Sequence, residues 1–276
     1  MLRRAMVWGA TRAPHWFVRG APLVIGAFLS IFLRGERRRV RQNLRRIQGP
    51  RPAAEETRDI RRTFVEFARC LTDGLSRDRF VAPEFEVEGA EAIEDILKGS
   101  AGFLLGTFHV GPWDLIAQMA FAESDRRVLV VMAREGAEGA AFIHDQGRHA
   151  AEFLRLGSHP LDALPVLTHL EKGGIVAVQL DRPAPAGEVL KANLFGEAYQ
   201  FTSGPFRLAG LARLPLVPIL SARLGEGRYL VRVLEPLYFS PRPSALELER
   251  ALEGLSVELE RHLRRYSTQW FDFRSS

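Results

Sequence analysis

The sequence predicts an α/β fold: a mixed, largely parallel central sheet flanked by helices, with a helical segment at the N-terminus. Two observations carry the sheet. Short apolar runs of strand length stand at 103–108, 128–132, 175–180 and 216–220, and stretches of helix length alternate with them. A third observation sets the N-terminus apart: residues 21–33 carry no charge, follow Trp8 and Trp16, and run into an arginine block. A chain of 276 residues with 46% hydrophobic content is long enough to bury a full core around such a sheet.

Taken in order, residues 1–33 read as a membrane-associating helix. The uncharged run is shorter than the ~20 residues needed to cross a bilayer, and Arg19 blocks its extension backwards. No small-residue cleavage site follows, so an uncleaved anchor lying in the interface fits better than a signal peptide. The other reading of these residues is a core helix packed on the globular part. Arg34, Arg37, Arg38, Arg39, Arg41, Arg45 and Arg46 crowd the next helix against the single acid Glu36. Only Lys98, Lys172 and Lys191 are lysines, so coding bias accounts for most of the arginine. An arginine block directly behind an apolar run is nevertheless the two-signal pattern of membrane attachment, and it suits phosphate-bearing partners. Residues 1–50 are assigned to this N-terminal segment and 51–276 to one domain.

Pro50-Arg51-Pro52 punctuates the chain, and a helix is expected from 53 to about 79, closed by Pro83. The lone Cys70 excludes an internal disulfide; beside Phe64, Phe67 and Leu71 it reads as a buried, inert thiol. A strand at 85–88, a helix at 90–98, the strand at 103–108 and a helix at 112–122 follow. After the strand at 128–132 come a helical stretch within 138–156, a helix at 161–172 and the strand at 175–180. Residues 182–192 read as a proline- and glycine-bearing loop. Ser203-Gly204-Pro205 opens a helix, with Pro205 at a favoured first position. Strands at 216–220 and 229–234 and an amphipathic helix at 244–266 complete the chain.

The chemistry concentrates in Thr107-Phe108-His109-Val110-Gly111-Pro112-Trp113-Asp114. An imidazole ends a buried strand, where open α/β sheets place ligands, and a carboxylate sits in the first turn of the next helix, where the macrodipole favours its ionised form. A general base needs such a neighbour to fix its tautomer and stabilise its cation. The other six histidines have no acid at this spacing, and a structural histidine is the plain alternative for any one of them. There is no Gly-x-Ser-x-Gly elbow and no paired cysteine-histidine motif, so direct attack by an activated hydroxyl is expected rather than a covalent intermediate. No metal-ligand cluster stands out.

The block resembles the His-x4-Asp/Glu motif of the lysophospholipid acyltransferase superfamily, nearest its branch of bacterial lipid A secondary acyltransferases, the lauroyl and myristoyl transferases. Further segments are similar in the same order. They are Arg39-Val40-Arg41-Gln42-Asn43-Leu44, then Gly173 through Asp181, then Leu194-Phe195-Gly196 with Thr202-Ser203-Gly204-Pro205, Ala209 and Leu216-Val217-Pro218, and lastly Gln269-Trp270-Phe271. The proline usual before that last motif is missing from Tyr266-Ser267-Thr268.

The resemblance implies a glycerol-3-phosphate acyltransferase-like fold, with 51–276 as the acyltransferase domain. It also implies acyl transfer from acyl carrier protein or acyl-coenzyme A to a hydroxyl of a membrane lipid, a lipid A-type glycolipid first. His109 and Asp114 are the implied catalytic pair, with no cofactor beyond the thioester co-substrate. Backbone N–H groups at 111–113 are expected to face the oxyanion. Arg134 and Arg148 are the implied phosphate ligands, with solvated helix faces as the plain reading. Asp181 and Arg182 share the sheet edge with His109, as substrate contacts or as a structural pair. Gly111, Thr202 and Gly204 shape the pocket, and Trp113 belongs to the pocket or the core. The implied location is the cytoplasmic face of the inner membrane, held peripherally or by a shallow anchor. The alternatives are another lipid acceptor or a non-catalytic lipid-binding protein. Nucleic acid is not expected as a partner, because no aromatic residues interleave with the arginines.

Overall fold

The computed structural model describes residues 8–76, 79–113, 115, 116, 126–133, 151–156, 163–182 and 188–274. In chain order these form α1 (His15–Phe32), α2 (Arg34–Gln48), α3 (Ala53–Ser76), β1 (Glu84–Glu88), α4 (Glu91–Lys98), β2 (Phe103–Thr107), β3 (Val128–Ala133) and β4 (Ala151–Leu156). They continue as α5 (Leu164–Glu171), β5 (Ile175–Gln179), β6 (Val189–Leu194), β7 (Glu197–Thr202), α6 (Gly204–Ala212), β8 (Leu216–Gly225), β9 (Arg228–Val233) and α7 (Ala245–Arg265).

The main sheet runs β1–β9–β8–β2–β5–β3–β4. Only β8 and β9 pair antiparallel; every other neighbour is parallel, so the sheet is mixed and largely parallel as the sequence predicts. β2 and β5 are central, and their runs FLLGT and IVAVQ are apolar because both faces are covered. Leu104, Val176 and Val178 pack under α5, α6 and α7 through Leu170, Phe206 and Leu259. Phe103, Leu105, Ile175 and Val217 pack on the opposite face with Ile93 of α4. A capping box opens α7: Ser244 accepts from the Glu247 backbone N–H, and the Glu247 carboxylate accepts from Ser244 N–H in return.

Two expectations change. Residues 151–156, read as part of a helical stretch, are the parallel edge strand β4 on β3; sheet pairing overrides the helix-favouring composition of AEFLRL. The expected loop at 182–192 gives way from Val189 to the β6–β7 hairpin. Its two-residue turn puts both Phe195 (φ 53) and Gly196 (φ 81) at positive φ, the twist-compatible hairpin geometry. The helix expected from 53 to about 79 is described from Ala53 to Ser76, and residues 77 and 78 lie outside the described residues.

The N-terminal helices are packed onto the domain. One face of α1 (Val18, Pro22, Gly26, Ser30) is buried, and a Cβ on Gly26 would stand 2.6 Å from Val65 Cα in α3, so glycine permits this close approach. Val40 and Leu44 of α2 join Ile60 and Phe64 of α3 in a small separate core. The Pro50-Arg51-Pro52 break therefore turns the chain between two packed helices. Cys70 is buried, and burial pushes its thiol well up.

Candidate active site

Parallel pairing of β2 with β5 determines what meets His109. Their last paired residues are Thr107 and Gln179, and the Leu180 N–H still donates to the Thr107 carbonyl at 2.9 Å. One step further, His109 and Asp181 leave the two strands side by side. The His109 backbone N–H donates to Asp181 Oδ2 at 2.8 Å, and the ring Nδ1 lies 2.8 Å from Asp181 Oδ1. Both residues are buried, at 3% and 2% exposure. Burial alone would raise the Asp181 carboxyl; the adjacent His109 charge and the hydrogen bonds from His109 outweigh it and hold the carboxyl below its ordinary range. An ionised Asp181 makes Nδ1 the donor, which leaves Nε2 as the ring's proton acceptor.

The loop carrying His109 is fixed by the C-terminal segment. Phe271 N–H donates to the His109 carbonyl at 2.8 Å, Gly111 N–H donates to the Gln269 carbonyl at 2.9 Å, and Val110 bridges Trp270. The Gln269 side-chain amide grips the Arg223 backbone both ways, accepting from its N–H at 2.8 Å and donating to its carbonyl at 2.9 Å. Gly111 has φ 59, and a Cβ there would stand 2.3 Å from the Ser221 carbonyl oxygen, so both conformation and space demand glycine. Ser221 Oγ donates to the Val110 carbonyl at 2.7 Å. Trp113 tilts against the imidazole with ring centroids 5.0 Å apart and reaches Phe271 at 6.0 Å.

Among the residues expected from the sequence, His109, Asp181, Gly111 and Trp113 come together here. Asp114, Arg134 and Arg148 lie outside the described residues. Each Asp181 oxygen faces His109, one the backbone N–H and the other Nδ1. Arg182 follows it and is exposed. Thr202 N–H donates to the Leu180 carbonyl at 2.9 Å, tying the end of β7 to the end of β5. Gly204 is the exposed first residue of α6. The expected row of N–H donors at 111–113 narrows to Trp113, because Pro112 has none and Gly111's is bonded to Gln269. Among the described residues no group of three or more His, Cys, Asp or Glu converges to hold a metal. Sequence reading recognised Gln269-Trp270 as a motif but not as the strap on the histidine loop. Asp272 and Arg274 it did not single out; the signal was their position directly beyond that motif.

A family profile described as bacterial lipid A biosynthesis acyltransferase matches residues 2–275. Among solved structures the chain is similar to the 1-acyl-sn-glycerophosphate (LPA) acyltransferase PlsC from Thermotoga maritima. That similarity has 14% identity over 89% of this chain and 97% of that one, with a TM-score of 0.41. No curated protein matches the sequence.

Proposed function

The chain belongs to the bacterial lipid A biosynthesis acyltransferases, and from that membership we propose a specific reaction. A fatty acyl chain passes from a thioester, on acyl carrier protein or coenzyme A, to a hydroxyl of a lipid A-type glycolipid. His109 is the general base: Nε2 takes the acceptor's hydroxyl proton as that oxygen bonds to the thioester carbonyl carbon. The tetrahedral oxyanion collapses with cleavage of the carbon–sulfur bond, and the imidazolium returns its proton to the departing thiolate. Asp181 holds Nδ1–H and stabilises the imidazolium through the transition state. The Trp113 N–H, at the start of a helix, is the donor proposed for the oxyanion. Asp114 keeps the catalytic role given it by its spacing from His109, to be weighed against Asp181 by substitution. Arg134 and Arg148 keep their proposed place on substrate phosphate. No cofactor enters this scheme.

The single observation carrying this reading is the buried His109–Asp181 pair at the ends of two central parallel strands. Membrane attachment is proposed for α1 and α2. The face of α1 turned from α3 leaves Trp16 and Val24 at 74% and 71% exposure, with Phe28, Ile31 and Phe32 also exposed. The α2 arginines follow it, as an anionic cytoplasmic leaflet would require. An α1 docked along α3 fits a helix half-sunk in the interface.

Purified protein in detergent, given acyl carrier protein or coenzyme A thioesters and a panel of lipid acceptors, is expected to add one acyl chain to a lipid A-type acceptor by mass spectrometry. Transfer to a different lipid alone would move the acceptor. Absence of transfer to any of them, with an unchanged lipidome in a deletion strain, would remove the reading.

A further inference from the structure

Two motifs of the sequence, Arg39 to Leu44 and Gln269 to Phe271, have no step in the reaction as proposed, and the fold brings them together. Residues 271–274 form no regular element, so their course depends on the groups they touch. On the inner row of α2, Arg39 and Asn43 stand one helical turn apart, at i and i+4. Asn43 is 4% exposed, and its side-chain amide donates to the Asp272 carbonyl at 2.9 Å. Arg39 Nη2 donates to Asp272 Oδ2 at 3.3 Å. Arg274 closes on the same carboxylate, Nε to Oδ1 at 2.8 Å and Nη2 to Oδ2 at 3.0 Å. One residue earlier, Phe271 N–H makes its 2.8 Å bond to the His109 carbonyl. The Phe271 ring lies 5.3 Å from Phe67 of α3 and 6.0 Å from Trp113, whose own ring is 5.0 Å from the imidazole. The other end of this strap hangs on α3. The Gln269 amide holds the Arg223 backbone, and Arg223 Nε donates to Asp73 Oδ2 at 2.7 Å.

A helix that only anchors the chain needs arginines outside and apolar residues inside, and Val40, Leu44 and Ile47 supply the inner packing. A buried amide costs free energy unless it is hydrogen-bonded, and Asn43 spends its bond on a carbonyl 229 positions away. The structure assigns Asn43 and Arg39 of α2 as positioning residues for His109, acting through the strap at 269–272. The assignment rests on the reading of His109 as general base. Loss of the Asn43 bond frees the main chain at Asp272, next to the residue whose N–H holds the His109 carbonyl. A displacement of about 1 Å at a reacting group can cost 10²-fold in rate. The helix then has two tasks: its outer arginines meet the membrane, and its inner polar pair sets the imidazole.

The test uses the full chain in detergent, with the thioesters and lipid A-type acceptor of the transfer assay, so that membrane binding does not enter. Asn43→Ala is expected to lower kcat about 10–100-fold with KM nearly unchanged. It is also expected to shift or broaden the downfield Nδ1–H proton resonance of His109, assigned by its loss in His109→Gln. Arg39→Gln changes a side chain at the 21% exposed rim of the clasp, which keeps the test valid if Asn43→Ala fails to fold. Its kcat is expected to fall about threefold, and Arg39→Lys, which keeps the cation, to restore most of it. A kcat within about twofold of wild type in Asn43→Ala, or a loss of kcat with the His109 resonance unmoved, overturns the assignment. So does an unchanged Arg39→Gln where Asn43→Ala does not fold. If the wild type transfers no acyl group, the functional reading fails by itself, and the resonance in Asn43→Ala still decides whether α2 sets the imidazole.

Discussion

Two imidazoles are buried to almost the same degree in two regions of this molecule. His109 stands at the edge where β2 and β5 end, at 3% exposure; His262 stands in the seam between α7 and β8, at 2%. His109 faces the Asp181 carboxylate. His262 donates Nε2–H to the Ser221 carbonyl at 3.0 Å. Burial pushes His262 down to about 4; the carbonyl opposes this only in part, and the charges of Arg232 and Arg265 add to the fall. A carbonyl among arginines makes a second proton on a buried ring costly. Burial is common to the active-site candidate and the structural histidine, so the partner is what separates them.

The contrast breaks first on activity. His109→Ala is expected to lower kcat by about 10²–10⁴-fold, the usual contribution of a positioned general base. Asp181→Asn keeps the size of the group but removes the charge that stabilises the imidazolium, and is expected to lower kcat by roughly 10²-fold or more with little change in KM. Asp114→Asn belongs in the same kinetic series. Equal losses would mean that two carboxylates serve one imidazole. Wild-type kcat in Asp181→Asn would make His109–Asp181 a structural pair like His262–Ser221 and erase the difference between the regions.

The series also marks what the sequence could reveal. FLLGT and IVAVQ announce two buried strands, and a histidine at the end of one is visible in one dimension. Asp114 draws attention because it is five positions away. Asp181 is 72 positions from His109 and becomes its neighbour only because the crossover lays β5 beside β2, an adjacency that apolar runs do not encode. The same limit hid the C-terminal strap, where Gln269 joins Gly111 to Arg223 from distant parts of the chain. The β6–β7 hairpin escaped notice because its turn places a phenylalanine at positive φ, where glycine or asparagine is the usual signal. The buried face of α1 escaped notice too: Val18, Pro22, Gly26 and Ser30 recur every fourth residue, but a proline, a glycine and a serine make no apolar stripe to announce it.

The second contrast is in stability. The folded-state pKa of His262 lies below its ordinary 6.5, so the unfolded chain binds a proton that the folded chain refuses. Stability from this group is complete above 6.5 and is lost as pH falls from 6.5 to about 4. The loss amounts to about 3 kcal/mol across that window. Asp272, held at about 2, acts below it. His262→Gln keeps a donor for Ser221 but cannot titrate, so its denaturation midpoint should fall less than the wild type's between those pH values. Parallel curves would mean that His262 is not held neutral by its surroundings.

The smallest expected effect lies where the two regions meet, at Ser221. Its carbonyl accepts from His262, its hydroxyl donates to the Val110 carbonyl, and Gly111 packs against it from the histidine loop. Ser221→Ala removes the hydroxyl bond to a buried carbonyl, at a cost of about 1 kcal/mol. The loop keeps its bonds to Phe271 and Gln269, so kcat should move by less than about threefold, since a tenfold change would need 1.4 kcal/mol specific to the transition state. Residues that share a partner do not act independently, so Ser221→Ala combined with His262→Gln should depart from additivity in urea denaturation. Strict additivity, or a kcat loss matching that of Asp181→Asn, would show that the division falls elsewhere. In the first case Ser221 would not join the regions; in the second it would belong wholly to the catalytic one.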